Sequence, residues 1–256
     1  LVGGEFGLVF NDNSMWREQR RFALHALRNV GFNNATILNT AVDYSQEIIT
    51  RWKQQGEGRK PVDVTMGIMV GVSNIIWQQT FGRTLQYDDP VIEQVKDVSQ
   101  ELIAKVGYPA VFLIELFPFI RKFDALFGSP IKAMVDVNDR FMALLDKELK
   151  LVEKHFNEDE APKCYADAFI GEMKRREAKG EELGWSFTHQ QLVVACYDMW
   201  TAGFETTVTT LRFMIHYMIN NPEAQQKAQR EIDEHIGKRA IQMEDQKALP
   251  YCNAII

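Results

Sequence analysis

THQQLVVACYDMWTAGFETTVTTLRFMIHYMIN, running from Thr188 to Asn220, is the stretch on which the fold turns. Its apolar residues recur at three- and four-residue steps, Thr188 is an N-cap candidate, and Asn221-Pro222 stops the pattern, which reads as one helix of about 30 residues, roughly 45 Å long. Met199, Trp200, Ala202, Phe204, Val208, Leu211, Phe213, Met214 and Ile215 surround its axis. A helix apolar all round belongs in a core. Asp198, Glu205, Arg212 and His216 interrupt the run, so it is not a bilayer span.

Glu205 sits mid-helix, where a buried carboxylate must be paired, hydrated or sharing a proton, and a structural ion pair is the plain alternative. Around it Gly203 is a poor helix former, and Thr206, Thr207, Thr209 and Thr210 carry hydroxyls that compete for backbone carbonyls. The helix is therefore expected to weaken there, as a kink or a widened turn, with Gly203 letting something flat approach the backbone. Glu205 beside Thr206 then forms an acid–hydroxyl pair able to relay protons.

Outward from this helix the chain stays helical, and alternating, strand-like segments are nearly absent. Ser14 to Gly31, Thr36 to Gln55 and Thr65 to Phe81 read as helices, the last with an apolar stripe broad enough for burial. Asp88-Asp89-Pro90 opens another, which leads into an apolar stretch, Tyr108 to Phe119. Gly128-Ser129-Pro130 restarts a long helix to about Phe156. Tyr165 to Lys179 and Glu223 to Ile236 complete the set. The fold class is mainly α with a long central helix and little β.

The 256 residues are 46% hydrophobic and 25% charged, with no Pro/Ser-rich linker, so residues 1–256 read as one compact globular piece. Twenty-nine Lys and Arg against 35 Asp and Glu give a net charge of −6, which argues against nucleic acid as the partner. Cys164, Cys196 and Cys252 are widely spaced and outside any C-x-x-C pair, so neither zinc nor disulfides are indicated. No secretory leader is evident. The chain opens at Leu1 and stops at Ile256 in an apolar run, as though cut at both ends.

A second cluster lies near the start. Trp16 and Arg20 are four apart and share a helix face, placing an indole N–H and a guanidinium fork side by side, a pair suited to carboxylates on a bound ligand. Arg17, Arg21 and Arg28 fall on an adjacent, basic sector. By itself such a cluster also describes a solvated helix face with one aromatic anchor.

Taken in order, the motifs are Trp16-x-x-x-Arg20 followed by Arg21-Phe22, then Phe81-Gly82-Arg83 with Tyr87-Asp88. Ala202-Gly203-x-Glu205-Thr206-Thr207, Asn221-Pro222-Glu223 and Leu249-Pro250-Tyr251 follow. This ordered set resembles the cytochrome P450 family of haem-thiolate monooxygenases, in its animal microsomal form, from Gly4 to Ile256. The resemblance implies that Trp16 and Arg20 donate to a haem propionate and that Ala202 and Gly203 form the wall beside oxygen and substrate. It implies that Glu205 and Thr206 deliver protons during oxygen activation. Arg17, Arg21 and Arg28 match the surface that meets acidic electron donors, a flavin reductase drawing on NADPH and a cytochrome b-type protein. Ile103 and Val106 align with substrate-facing positions, and the 108–119 region with a segment that rests on the membrane and gates access. The implied location is the cytosolic face of the endoplasmic reticulum membrane.

The resemblance also implies what is missing. The family's E-x-x-R helix and its iron-ligating cysteine loop are expected beyond Ile256, and the membrane anchor and early sheet before Leu1, so the chain corresponds to an incomplete single domain with no metal ligand of its own. None of Cys164, Cys196 and Cys252 has the ligand's surroundings, and each reads as an inert thiol. The fragment alone is then expected to be inactive. The alternative is a non-catalytic helical binding protein, a degenerate relative that lost the iron ligand. Asn34-Ala35-Thr36 is a glycosylation sequon by chance if the domain faces the cytosol.

Overall fold

The computed structural model describes residues 6–9, 11, 13–31, 35–58, 60–87, 89–106, 116–117, 129–181 and 186–256. The helices are α1 (Asn13–Asn29), α2 (Ala35–Gln55), α3 (Thr65–Phe81), α4 (Pro90–Val106) and α5 (Pro130–His155). They continue with α6 (Tyr165–Ala178), α7 (His189–Asn220), α8 (Pro222–His235), a 3-10 turn at Met243–Ala248 and α9 (Pro250–Ile255). No strand occurs among the described residues, so the protein is mainly α. The 3-10 turn and α9 are too short to show a period and do not emerge from the sequence pattern.

The chain divides into two compact units. One comprises Leu1–Val30 with Trp77–Ala202, the other Gly31–Ile76 with Gly203–Ile256. In the first, α4 packs along α5, and α1 and α5 each meet α6. The reason is visible in α5: Val137, Phe141, Leu144, Leu145 and Leu149 repeat at helical spacing and are buried, while Asp136, Asp139, Arg140 and Lys147 lie off that stripe. Fully burying one such side chain is worth about 1.5–3 kcal/mol. Phe22 of α1 meets Tyr165, Phe169 and Phe187 edge-on at centroid distances of 6.1, 5.6 and 5.2 Å. Arg176 ties this cluster down, reaching Glu18 and Glu172 at 2.7 Å each and lying 4.0 Å above the Phe187 ring.

In the second unit Ile68, Met69, Val70 and Val72 of α3 and Phe204 and Val208 of α7 are buried. Glu231 of α8 accepts the backbone N–H groups of Tyr251 and Cys252 at 2.9 and 2.8 Å, satisfying donors that the first turn of α9 leaves open.

Thr188 caps α7 as its sequence predicts, its hydroxyl accepting the Gln191 N–H at 3.2 Å. Two expectations for this helix are corrected. It is α-helical without a break from His189 to Asn220, including Gly203 to Thr210, so no widened turn opens there. Nor is it buried all round: every residue from Gln191 to Asp198 is buried, whereas Leu211, Phe213, Tyr217 and Ile219 are exposed. An apolar circumference shows that a helix can be covered on every side; which sides are covered depends on what packs there.

Candidate functional site

On α1 the buried face is Gln19, Ala23 and Ala26, residues three and four apart. Its other side presents Trp16, Arg17, Arg20, Arg21, Leu24, His25 and Arg28 around an open hollow of about 430 Å³. The sequence puts Arg17, Arg21 and Arg28 on a sector beside Trp16 and Arg20; in the structure all five line one hollow. The Arg20 guanidinium lies 5.3 Å from the centre of the Trp16 ring, a cation–π stack that couples the two orientations. No carboxylate among the described residues pairs with these four arginines. Such a set of planar, permanently charged forks favours a ligand carrying carboxylates.

The Trp16 indole N–H is already engaged, donating to the Leu8 carbonyl at 3.1 Å. Leu8 belongs to a short segment fastened to the first half of α7. Gln191 accepts the Gly7 N–H at 2.9 Å and donates back to the Gly7 carbonyl at 3.3 Å. Asp198 accepts the N–H groups of Leu8 and Val9 at 2.5 and 3.0 Å, both on Oδ2. Asp198 is 3% exposed, and burial pushes its carboxyl above the ordinary carboxylate range against the two amides that favour its charge.

The sequence expects Glu205 to be the buried carboxylate of this helix; the structure gives that place to Asp198 and leaves Glu205 half-buried. The physical reason is register, since seven residues along a helix amount to nearly two turns, enough to pass from the packed part of α7 into its more open part. The Glu205 carboxylate accepts the Thr209 hydroxyl at 2.8 Å, one turn on. Thr206, the expected partner, is exposed, and its carbonyl accepts the Thr210 hydroxyl at 2.7 Å. Helical geometry decides this, because residues i and i+4 face each other whereas i and i+1 diverge by about 100°. Thr206, Thr207, Thr210 and Leu211 line a shallow hollow of about 220 Å³.

Gly203 and Ala202 also differ in role. A Cβ built on Gly203 would lie 3.2 Å from Ile76 Cδ1, so the missing side chain gives α3 room on that side. Ala202 is exposed. Sequence reasoning passes over Thr209, Gln191 and Asp198. The available signals are Thr209 at i+4 from Glu205, and Asp198, a lone acid in an apolar run one turn before Ala202.

Ile103 and Val106 lie on α4, but their side chains are outside the described residues, as are 108–115 and 118–119 of the apolar stretch. Leu116 and Phe117 within it are exposed. Cys164 and Cys196 are buried, the Cys164 thiol pushed up to about 12 and the Cys196 thiol well above its usual value by desolvation, as inert thiols require. Among the described residues no three His, Cys, Asp or Glu side chains are grouped to hold a metal ion, and no helix is long and apolar enough to cross a membrane.

Comparison with known proteins brings these parts under one description. The chain is 33% identical over 257 residues to the probable cytochrome P450 CYP36A1 of Caenorhabditis elegans, with 100% of this chain and 52% of that relative covered. It is 32% identical over 256 residues to cytochrome P450 2J5 of Mus musculus, covering 100% of this chain and 49% of the relative. With cytochrome P450 2J2 of Homo sapiens the identity is 32% over 256 residues, for 98% and 48%. The chain spans about half the length of the curated relatives it matches. The family model for cytochrome P450 matches residues 3–256, and so this chain belongs to the cytochrome P450 family.

Proposed function

We propose that residues 1–256 are the central part of a single haem-thiolate monooxygenase domain, which inserts one atom of O2 into an apolar small molecule using electrons that originate in NADPH. The observation that carries this reading is the Trp16–Arg20 stack in a hollow shared with three further arginines and no pairing carboxylate among the described residues. A haem presents two propionates, and this donor set fits them in charge and in planar geometry. Ala202 and Gly203 on α7 form the wall beside oxygen and substrate in this reading, Ala202 being exposed. The buried, unactivated thiols of Cys164 and Cys196 do not fit an iron-binding thiolate, which in this reading would be supplied from outside these 256 residues. The 256 residues alone are then inactive.

A haem held there would supply the oxygen activation, and this chain's residues would position it and deliver protons. Arg20 holds a propionate through its fork, and Trp16 orients the guanidinium by stacking. The exposed Thr206 hydroxyl passes a proton at Oγ1. Glu205, oriented by the Thr209 hydroxyl, replaces that proton from solvent, which its half-exposed position allows. Arg17, Arg21 and Arg28 attract acidic electron donors, a flavin-containing reductase and a cytochrome b-type protein, by charge complementarity. Ile103 and Val106 contribute to the substrate side, and the whole protein works at the cytosolic face of the endoplasmic reticulum membrane.

The test is haem retention in the full-length protein. Arg20→Ala removes a charge-assisted bond worth about 1.5–3 kcal/mol and should weaken haem binding about tenfold or more, read as reduced-CO absorbance per mole of protein. Full haem occupancy and an unchanged haem dissociation rate in Arg20→Ala would remove the basis for this placement.

A further inference from the structure

We propose that the buried hydrogen bond between Tyr197 of α7 and Asn138 of α5 is a register lock that determines specificity: it fixes how far α5 lies along α7 and so limits the size of molecule admitted beside Ala202. The lock is a property of this helix pair; its consequence for specificity rests on the reading that Ala202 borders the substrate.

α5 and α7 meet at two polar points. The Tyr197 hydroxyl donates to Asn138 Oδ1 at 2.6 Å. The His189 ring lies 2.7 Å from Asp146 and 3.2 Å from Glu153. From His189 to Tyr197 α7 advances by eight residues, and from Asp146 to Asn138 α5 goes back by eight, about 12 Å on each helix. The two helices therefore run antiparallel, and both contacts agree on one register. Phe141, three residues on from Asn138, packs against Tyr197 and Trp200 at centroid distances of 5.8 and 4.4 Å. Trp200 stands two residues before Ala202, so the part of α5 that the lock holds is the part nearest that small residue.

The two polar points differ in strength. His189, Asp146 and Glu153 are partly exposed, and such a contact yields readily to water. Asn138 and Tyr197 are 1% and 6% exposed, and burial pushes the Tyr197 hydroxyl up, so it keeps its proton and remains a donor. The pair is not a cheap way to fill a core: Asn138 Nδ2 is buried with no partner among the described residues, a cost that two apolar side chains would avoid. What the pair provides is position. Apolar surfaces such as those of Val137, Phe141 and Leu145 tolerate sliding, whereas a shift of α5 by one residue, about 1.5 Å along its axis with a rotation of about 100°, breaks a hydrogen bond of this length. α5 also packs along α4, so a loosened α5 takes α4 with it and opens the space beside Trp200 and Ala202.

The full-length holoprotein is compared as wild type, Tyr197→Phe, and the double variant Tyr197→Phe with Asn138→Leu, which replaces the polar pair by an apolar one of similar volume. The first readout is amide hydrogen exchange over residues 130–141 of α5, with α6 as the internal reference. The second is the association rate of two probes, imidazole and the bulky imidazole clotrimazole, followed by the shift in haem absorbance. Both variants are expected to speed exchange over 130–141 about threefold to tenfold with α6 unchanged, and to speed clotrimazole association about threefold or more with imidazole unchanged. The double variant separates position from stability, because it restores apolar packing without restoring the bond. Wild-type exchange over 130–141 in the double variant, or exchange that rises equally in α6, overturns the lock. Faster exchange confined to α5 with both probes unchanged, or with both sped equally, overturns the specificity role and leaves the lock. Absence of a haem absorbance shift with either probe in the wild type overturns the haem reading and the specificity role with it, while exchange still decides the lock. If Tyr197→Phe yields no holoprotein, the double variant carries both readouts with the same expected outcomes.

Discussion

Arg83→Ala should destabilise this protein more than a surface ion pair could, because of what it leaves behind. Glu148 is 4% exposed and accepts three bonds, from Arg83 Nε and Nη2 at 2.7 Å each and from the Trp77 indole N–H at 3.2 Å. The carboxylate raises the Arg83 pKa through these bonds, and Asp89 lies 3.5 Å from the guanidinium on its outer side. Removing Arg83 strands a buried carboxylate with one neutral donor. Stranding a fully buried charge typically costs about 3–5 kcal/mol. Arg83 is 37% exposed and borders a hollow of about 340 Å³ that admits water, so the lower end applies, about 3 kcal/mol. The double variant Arg83→Met with Glu148→Met removes the stranded charge, leaves the Trp77 N–H unpaired and takes the cation from the partly exposed Asp89, a loss of about 1 kcal/mol. It should thus recover about 2 kcal/mol relative to Arg83→Ala, the reverse of additivity. The assay is urea unfolding of the full-length holoprotein at matched haem loading, followed by far-ultraviolet circular dichroism. An Arg83→Ala variant within about 1 kcal/mol of wild type, or a double variant no better than the single, would refute the argument that the carboxylate is costly once unpaired.

Further expectations concern the proton path and acid stability. In the full-length protein Thr206→Ala should uncouple O2 consumption from product formation, lowering product per NADPH about tenfold, with Thr209→Val giving a smaller loss because it only frees the Glu205 carboxylate to reorient; unchanged coupling in Thr206→Ala would exclude its relay role. Glu172 is held down at about 2 by its bonds to Arg175 and then Arg176, against an ordinary value of 4.5. A lowered folded-state value means the native state holds its proton less readily than the unfolded chain, so the gain is present above pH 4.5 and is lost as pH falls toward 2. Glu172→Gln should therefore be less stable at neutral pH by about 1–2 kcal/mol after solvent screening of the partly exposed arginines, with the difference closing in acid, as measured by urea midpoints at several pH values.

Whatever depends on residues close along the chain is legible without a structure. Helical spacing located α1, α3, α5 and α7 to within a residue or two, because a repeat of three and four residues is a local property. Trp16 and Arg20 were placed on one face by the same rule, and the ordered motifs identified the family. The same rule also sets Thr209 opposite Glu205, one turn on. Which polar groups are buried, and what they meet, is settled by packing between distant segments. Asp198 and Leu8 are 190 residues apart, and nothing in either neighbourhood states that a carboxylate of α7 holds the segment before Trp16. Likewise the closeness of Ile76 to Gly203 is not legible along the chain, and Arg83 reads as a motif residue until Glu148, 65 positions away, is found beneath it. Periodicity tells how much of a helix can be buried, but the partner of each buried group is chosen by packing, where an unpaired charge or amide costs more than most local preferences supply.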